Sequence, residues 1–337
     1  MDREFLYFHY GVKPEQMFTF SGYPAFSDHL VLYLMIEVFE KDRDELFERY
    51  RLSQFMRTQN EQFVPAFVPA RGGNYVVRDG ERFFVLLRLE QWNRDQLPVT
   101  GSELAAFHYR GFYFHDSLVE LNRVGKWQEY WEGRLDSLEK LYQQVLKSGP
   151  ATDFDEWFLQ TFSYFGGLAE NAIGYVHDTL LDAPPDPFDR GTICHERFTP
   201  AHWSGRTPWK NPFEWVYDHP VRDLAEYVRV LLLQGEKGLA RARKFIEDYQ
   251  SILPLSGLAW RLMFSRLLFP VHYFTVVEEY YDEPEKKGKR KLLQRLQRYA
   301  QASEAYERIL ANFVQVFRIP ANRIFLPLPE WLLKKKE

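Results

Sequence analysis

A chain of 337 residues with 45% hydrophobic and 17% aromatic side chains holds enough apolar material for one large or two modest cores. Its formal net charge of −4 supplies no basic face for phosphates, so nucleic acid is not expected as a partner. A single cysteine, Cys194, excludes an internal disulfide framework and a cysteine-based zinc cluster.

The N-terminal stretch MDREFLYFHYGVKPEQ carries charges where a signal peptide needs an apolar core, so no secretion signal is expected. Residues 29–39, HLVLYLMIEVF, read as a mostly buried strand, and residues 40–62, free of Gly and Pro, as a helix. Two further apolar runs are broken at Gly72-Gly73 and at Asp79-Gly80, the second a hairpin signal. Residues 1–92 are therefore expected to form a small antiparallel sheet with one inserted helix, followed by a connector near residues 89–97.

Beyond residue 97 the signals are helical, which makes 93–337 a mainly helical second part. A helix is expected over 102–112 with Ser102 as its N-cap, and another over 123–148, stopped by Gly149-Pro150. Residues 153–182 are helical with a break expected at Gly166-Gly167, and a Pro-rich loop then leads into GTICHERFTPAHW, residues 191–203. In VRDLAEYVRVLLLQ, Leu224, Tyr227, Val228, Leu231 and Leu232 share one apolar face, and Asp223 with Glu226 reads as a capping-box start. Helices continue over 237–311 apart from a solvated loop expected at 282–291, which includes KKGKRK. The most apolar run, 255–274, contains Arg261, Arg266 and Pro270 and is read as buried helix, so no membrane span is expected.

The order FFVLLRLE, SELAAFHYRGF, WFLQTFSYFGGLAENAIGYVHDT, GTICHERF and NPFEWVYDHPVRDLAEYV resembles the CotS-like spore coat proteins of YutH type. These belong to the aminoglycoside and choline phosphotransferase branch of the protein kinase-like superfamily. The resemblance spans most of the chain and is firmest over residues 153–230. It implies an α+β, bilobal, aminoglycoside phosphotransferase-like fold, with a small antiparallel-sheet N-lobe and a large helical C-lobe holding a degenerate catalytic loop near 191–223. It also implies synthesis in the mother-cell cytoplasm and assembly into the spore coat beside other coat proteins. Neither it nor the residues set an oligomeric state.

Phosphoryl transfer from ATP needs a small-lobe Lys for the phosphates, a loop Asp that accepts the acceptor hydroxyl's proton, and an Asn and a further Asp on magnesium. The family's loop, H-x-D-x-x-x-x-N, places His195 on its His, Arg197 on the catalytic Asp and His202 on the magnesium-binding Asn. The later metal-binding Asp falls on Asn211, or alternatively on Phe213. No Lys lies in residues 29–38, so Glu45 and Glu48 lack that partner, and FTFSGYPAFSDH offers one glycine, Gly22, for a phosphate loop. Arg197 cannot serve as a general base, and the amide of Asn211 is a poorer magnesium ligand than a carboxylate. A pseudokinase is expected, with neither ATP nor magnesium as cofactor. Asp223 is expected to remain as an N-cap and His195 as a hydrogen-bonding residue of the loop.

Two other readings use the same residues. An ATP-dependent small-molecule phosphotransferase would need displaced groups such as Glu196, Asp218 or Asp189. A ligand-binding pseudoenzyme would use the aromatic cleft without turnover. Trp203, Trp209 and Trp215, with Arg206 and Lys210 between them, fall where the cleft is expected and are read as filling it. The spacing of His195, Glu196, His202 and His219 matches no zinc pattern, and Cys194 is read as a buried structural thiol.

Overall fold

A computed structural model describes residues 3–14, 16–28, 31–39, 42–90, 92, 99–203, 209–320 and 324–333. Most of the expected connector, and Arg206, lie outside the described residues. The chain divides into two compact units, Met1–Asn122 with Gly191–Asp218, and Arg123–Arg190 with His219–Glu337. This division differs from a boundary after residue 92: residues 99–122 and the late segment 191–218 group with the sheet.

The first unit is built on a mixed-length antiparallel sheet. Helix α1 (Arg3–Tyr10) precedes strands β1 (Gln16–Phe20), β2 (Tyr23–Asp28) and β3 (Val31–Val38). Helix α2 (Arg43–Thr58) is followed by β4 (Ala66–Val68), β5 (Val76–Asp79) and β6 (Arg82–Glu90), in the sheet order β1-β2-β3-β6-β4 with β5 also on β6. The two-residue period divides the long strands between two cores. Leu34 pairs with Leu87 and Ile36 with Val85 on one face, whereas Met35 pairs with Leu86 on the other, beneath Leu6 of α1.

The β1–β2 hairpin was not expected. Its turn, Ser21-Gly22, takes φ values of 49° and 86°, and Gly22 supplies the left-handed conformation at little steric cost. Helix α3 (Gly101–Gly111) begins one step earlier than its apolar pattern suggests. Thr100, not Ser102, is the N-cap: its hydroxyl accepts the Glu103 N–H at 3.2 Å while the Glu103 carboxylate accepts the Thr100 N–H at 2.8 Å. At the far end of α3, a Cβ on Gly111 would stand 2.3 Å from Thr192 Oγ1, so only glycine permits this approach to β7 (Thr192–His195). Strand β7 pairs antiparallel with β8 (Trp215–Asp218), completing this unit.

The second unit contains α4 (Trp127–Ser148), α5 (Asp153–Asp182), α6 (Val221–Leu232), α7 (Glu236–Gln250), α8 (Gly257–Leu268), α9 (Val271–Asp282), α10 (Lys286–Ala311), α11 (Phe313–Val316) and α12 (Glu330–Leu333). Helix α5 packs on α4 and α8, and α6 on α7 and α8. Three expectations are corrected here. Helix α5 runs unbroken through Gly166-Gly167. Each glycine costs about 1 kcal/mol against alanine, but Phe158, Phe162, Phe165, Ala169 and Ala172 bury one continuous face. The interhelical break near 282–291 shrinks to 283–285, because Lys and Arg are good helix formers and KKGKRK opens α10 behind two glutamates.

The third correction concerns Asp223. Helix α6 starts at Val221 after Pro220, so Asp223 is its third residue, fully buried, and makes no cap. The first helical N–H is instead received by the ring: Val221 N lies 3.3 Å from His219 Nδ1. His219 Nε2 in turn lies 3.2 Å from Asp189, whose carboxylate also accepts the Asp186 N–H at 2.7 Å and the Ser256 hydroxyl at 2.7 Å. Burial alone would raise the Asp189 carboxyl, but the hydrogen bonds from His219, Asp186 and Ser256 outweigh it and hold it below its ordinary value. Among the described residues no helix is long and apolar enough to cross a membrane.

Candidate functional site

The positions that match a catalytic loop lie on and beside the β7–β8 hairpin of the first unit. All four residues of β7 are buried, and the Thr192 hydroxyl donates to His108 O at 2.7 Å. His195 ends this strand with its ring among Phe198, Trp203 and Phe107, at centroid distances of 4.9, 5.2 and 5.5 Å. Cys194 is buried with its sulfur 3.5 Å from Asp218 O. Arg197, half-buried, follows in the bend after β7.

His202 and Asn211 meet at one carboxylate. His202 Nδ1 accepts the Thr199 N–H at 3.0 Å, which leaves the ring proton on Nε2, 3.2 Å from Glu214. Asn211 caps a short 3-10 turn, Pro212–Glu214: its oxygen accepts the Phe213 N–H at 3.1 Å and its amide donates to Glu214 at 3.1 Å. Burial would push the Glu214 carboxyl up, yet the bonds from His202 and Asn211 hold it below its ordinary value. Both residues at magnesium-ligand positions are thus engaged with a neighbouring side chain and with backbone N–H groups.

Glu196 and Asp218, two of the groups available for displaced chemistry, do not converge. Glu196 is exposed just past His195, whereas Asp218 pairs with Thr192 at the opposite end of the hairpin. Three residue steps separate the two ends, about 10 Å of strand. Asp189 belongs to the second unit, in the cluster with His219 and Ser256.

At the small-lobe lysine position, Leu34, Met35 and Ile36 are buried in the two sheet cores and Glu37 is exposed. The α2 carboxylates have other partners. Glu45 accepts from Arg49 at 2.5 and 2.9 Å. Glu48, buried in mid-helix, accepts the N–H groups of Val119, Glu120 and Leu121 at 2.6, 3.2 and 2.8 Å. Arg49 also donates to the carbonyls of Pro212 and Trp215 at 2.8 and 3.2 Å, which ties α2 to the Asn211 turn.

A buried ion cluster completes the site. Lys210 pairs with Glu61, whose second oxygen lies 2.8 Å from Arg110. The ammonium sits 4.3 Å from the ring centre of Trp203 and 5.7 Å from that of Phe107. Burial pushes the Lys210 amine below its usual range, only partly offset by Glu61.

The three tryptophans occupy different places. Trp203 has φ +55°, a left-handed backbone that costs a non-glycine residue about 1–3 kcal/mol, and its ring is buried against Phe107 at 4.9 Å. Trp215 is fully buried, 5.6 Å from the same ring. Trp209 packs edge-on against Phe20 and Tyr23 at 5.9 and 5.8 Å, beside the β1–β2 turn that holds Gly22. With Phe213, which stacks on Phe67 at 6.0 Å, it covers the apolar face beneath β3.

Sequence reasoning named His195, Arg197, His202 and Asn211, and Glu48 without its backbone partners, but missed Arg49, Glu61, Phe107 and Glu214. Only Glu214 had a readable signal: Asn211-Pro212-Phe213-Glu214 has the spacing of a capping box.

A family model described as spore coat putative kinase YutH matches residues 3–313. The chain is 32% identical over 327 residues, 96% of each sequence, to the endospore coat-associated protein YutH of Bacillus subtilis (strain 168). It is 23% identical over 204 residues, 56% of each sequence, to spore coat protein S of the same organism. Among solved structures it is similar to an aminoglycoside phosphotransferase from Alicyclobacillus acidocaldarius, with a TM-score of 0.64, 15% identity, and coverage of 90% and 93% of the two chains. A microcompartment-associated aminopropanol kinase gives a TM-score of 0.59 at 14% identity, covering 88% and 92%. These structural likenesses establish the fold, an α+β aminoglycoside phosphotransferase-like kinase fold with an antiparallel-sheet N-terminal region and a large helical C-terminal part. With a family model matched along nearly its whole length and a relative above 30% identity, the chain belongs to the spore coat YutH family.

Proposed function

We propose that this protein is a spore coat-associated structural protein that uses a kinase-like fold as a scaffold and transfers no phosphate. The observation that carries the reading is the Glu214 cluster. His202 and Asn211, at the magnesium-ligand positions, are both bonded to Glu214, and Arg197 stands in place of the catalytic Asp. Arginine stays protonated and accepts no proton from a hydroxyl. With Leu34, Met35 and Ile36 in place of the phosphate-binding Lys, neither ATP nor magnesium has a role here. The relatives' names, an endospore coat-associated protein and a spore coat protein, support the spore coat as the setting; synthesis in the mother cell and assembly with other coat proteins belong to the proposal.

A phosphotransferase with displaced groups such as Glu196, Asp218 or Asp189 is the weaker reading, because Glu196 and Asp218 lie at opposite ends of the hairpin and so do not form one site together. The scaffold reading is tested by following fluorescent fusions in sporulating cells. The intact chain and a folded Arg197→Ala/His202→Ala variant are expected to reach the spore surface equally. Failure of the intact fusion to reach it, or loss of deposition in the folded variant alone, would overturn the reading.

A further inference from the structure

A groove of about 460 Å³ opens between α2 and β5, within the first unit and apart from the Glu214 cluster. Its floor is aromatic. Tyr50 and Tyr75 lie 4.7 Å apart with their hydroxyls bonded at 3.2 Å, and Phe67 packs edge-on against Tyr50 at 5.6 Å. Phe47 stands on the rim, stacked on Tyr50 at 6.3 Å yet 60% exposed. So large an exposed ring beside an aromatic floor is characteristic of contact surfaces, where Phe, Tyr and Arg are enriched.

Charge and backbone define the occupant further. Arg43, the exposed first residue of α2, has no ion-pair partner among the described residues. Arg78 gives its Nε to Gly80 O at 2.7 Å and lies over Phe83, and has no carboxylate partner among the described residues. Among the described residues no Asp or Glu lines the groove. Among the described residues strand β5 pairs only with β6, so its outer edge carries no strand there. A planar guanidinium takes a carboxylate through two parallel hydrogen bonds, and an open strand edge takes an extended backbone.

We infer that this groove docks an extended segment of a protein partner carrying one aromatic side chain flanked by carboxylates. The ring enters among Tyr50, Phe67 and Tyr75, the carboxylates meet Arg43 and Arg78, and the segment's backbone runs beside β5. This surface stands whether or not the chain transfers phosphate.

The test is fluorescence anisotropy of the full chain with a labelled peptide holding a central Phe among Asp and Glu. Saturable binding is expected, weakened about tenfold by Arg43→Glu or Arg78→Glu and by replacing the peptide's Phe with Ala. Both arginines are exposed, so unchanged circular dichroism and melting temperature certify the variants. Absence of saturable binding, equal binding of a Lys-for-acid peptide, or binding untouched by both arginine variants would overturn the proposal. So would concentration-dependent self-association that Arg43→Glu abolishes, because the occupant would then be a second copy.

Discussion

The β7–β8 hairpin and the α2–β5 groove both gather aromatic rings around cations, but they treat those cations differently. Beside the hairpin, Lys210 is buried against Glu61 under the Trp203 ring, and His202 and Asn211 both hold Glu214. At the groove, Arg43 and Arg78 stay exposed and have no carboxylate partner among the described residues, beside a Phe47 that is 60% exposed. The difference teaches where to look for function in a fold whose catalytic positions have changed. Polar groups that satisfy one another contribute stability, whereas polar groups left open are available to a partner.

Removing internal satisfaction should give the largest effects. Glu48→Ala leaves three backbone N–H groups without their acceptor and is expected to cost about 3 kcal/mol in urea unfolding. A cost below the ordinary surface range would show that water replaces the carboxylate. Next comes a matched pair of aromatic truncations. Trp209→Ala, beside Phe20 and Tyr23, should cost about 2 kcal/mol, while Phe47→Ala on the groove rim should stay within about 0.5 kcal/mol. Equal costs would break the comparison, because they would make the groove rim as structural as the filled face.

A smaller effect depends on pH in the second unit. The folded Asp189 carboxyl lies below its ordinary value of 3.8, so its contribution is complete above that pH and disappears as pH falls through the folded value. The urea midpoint of the intact protein should therefore fall over this acid range more than that of Asp189→Asn. Parallel curves would show that the bonds from His219 and Ser256 do not favour the charged form.

How much of this was legible in the sequence depended on the range of each interaction. The strands β3 and β6 and the β5–β6 hairpin turn declared themselves through apolar runs and Asp79-Gly80. The β1–β2 hairpin did not, because QMFTF is mostly exposed and Ser21 adopts φ 49° outside the usual turn pairs. Gly166-Gly167 was over-read, since two glycines do not break a helix whose buried face, Gly166 included, is packed with Phe. At α6 the spacing of Asp223 and Glu226 suggested a capping box, but the chain enters from Pro220, one turn too early for Asp223 to cap.

The same rule governs the site. The spacing of His195, Arg197 and His202 is local and could be matched to a loop pattern. The partners that fix the meaning of those residues are distant: Glu48 reaches residues 71 to 73 positions away, and Lys210 meets Glu61 across 149. No periodicity links such pairs, because the fold alone brings them together.

The central claim is that the catalytic positions are committed to one another and hold no nucleotide. The most direct measurement is a thermal-shift titration of the purified chain with ATP, with and without magnesium or manganese. A ligand that binds only the folded state must raise its melting temperature by mass action, so even a weak site registers at ligand concentrations above its dissociation constant. The account predicts no shift with any divalent ion. A metal-dependent rise that Arg197→Ala or Asn211→Ala abolishes would contradict it, and would mean that the Glu214 cluster opens to bind the nucleotide's metal.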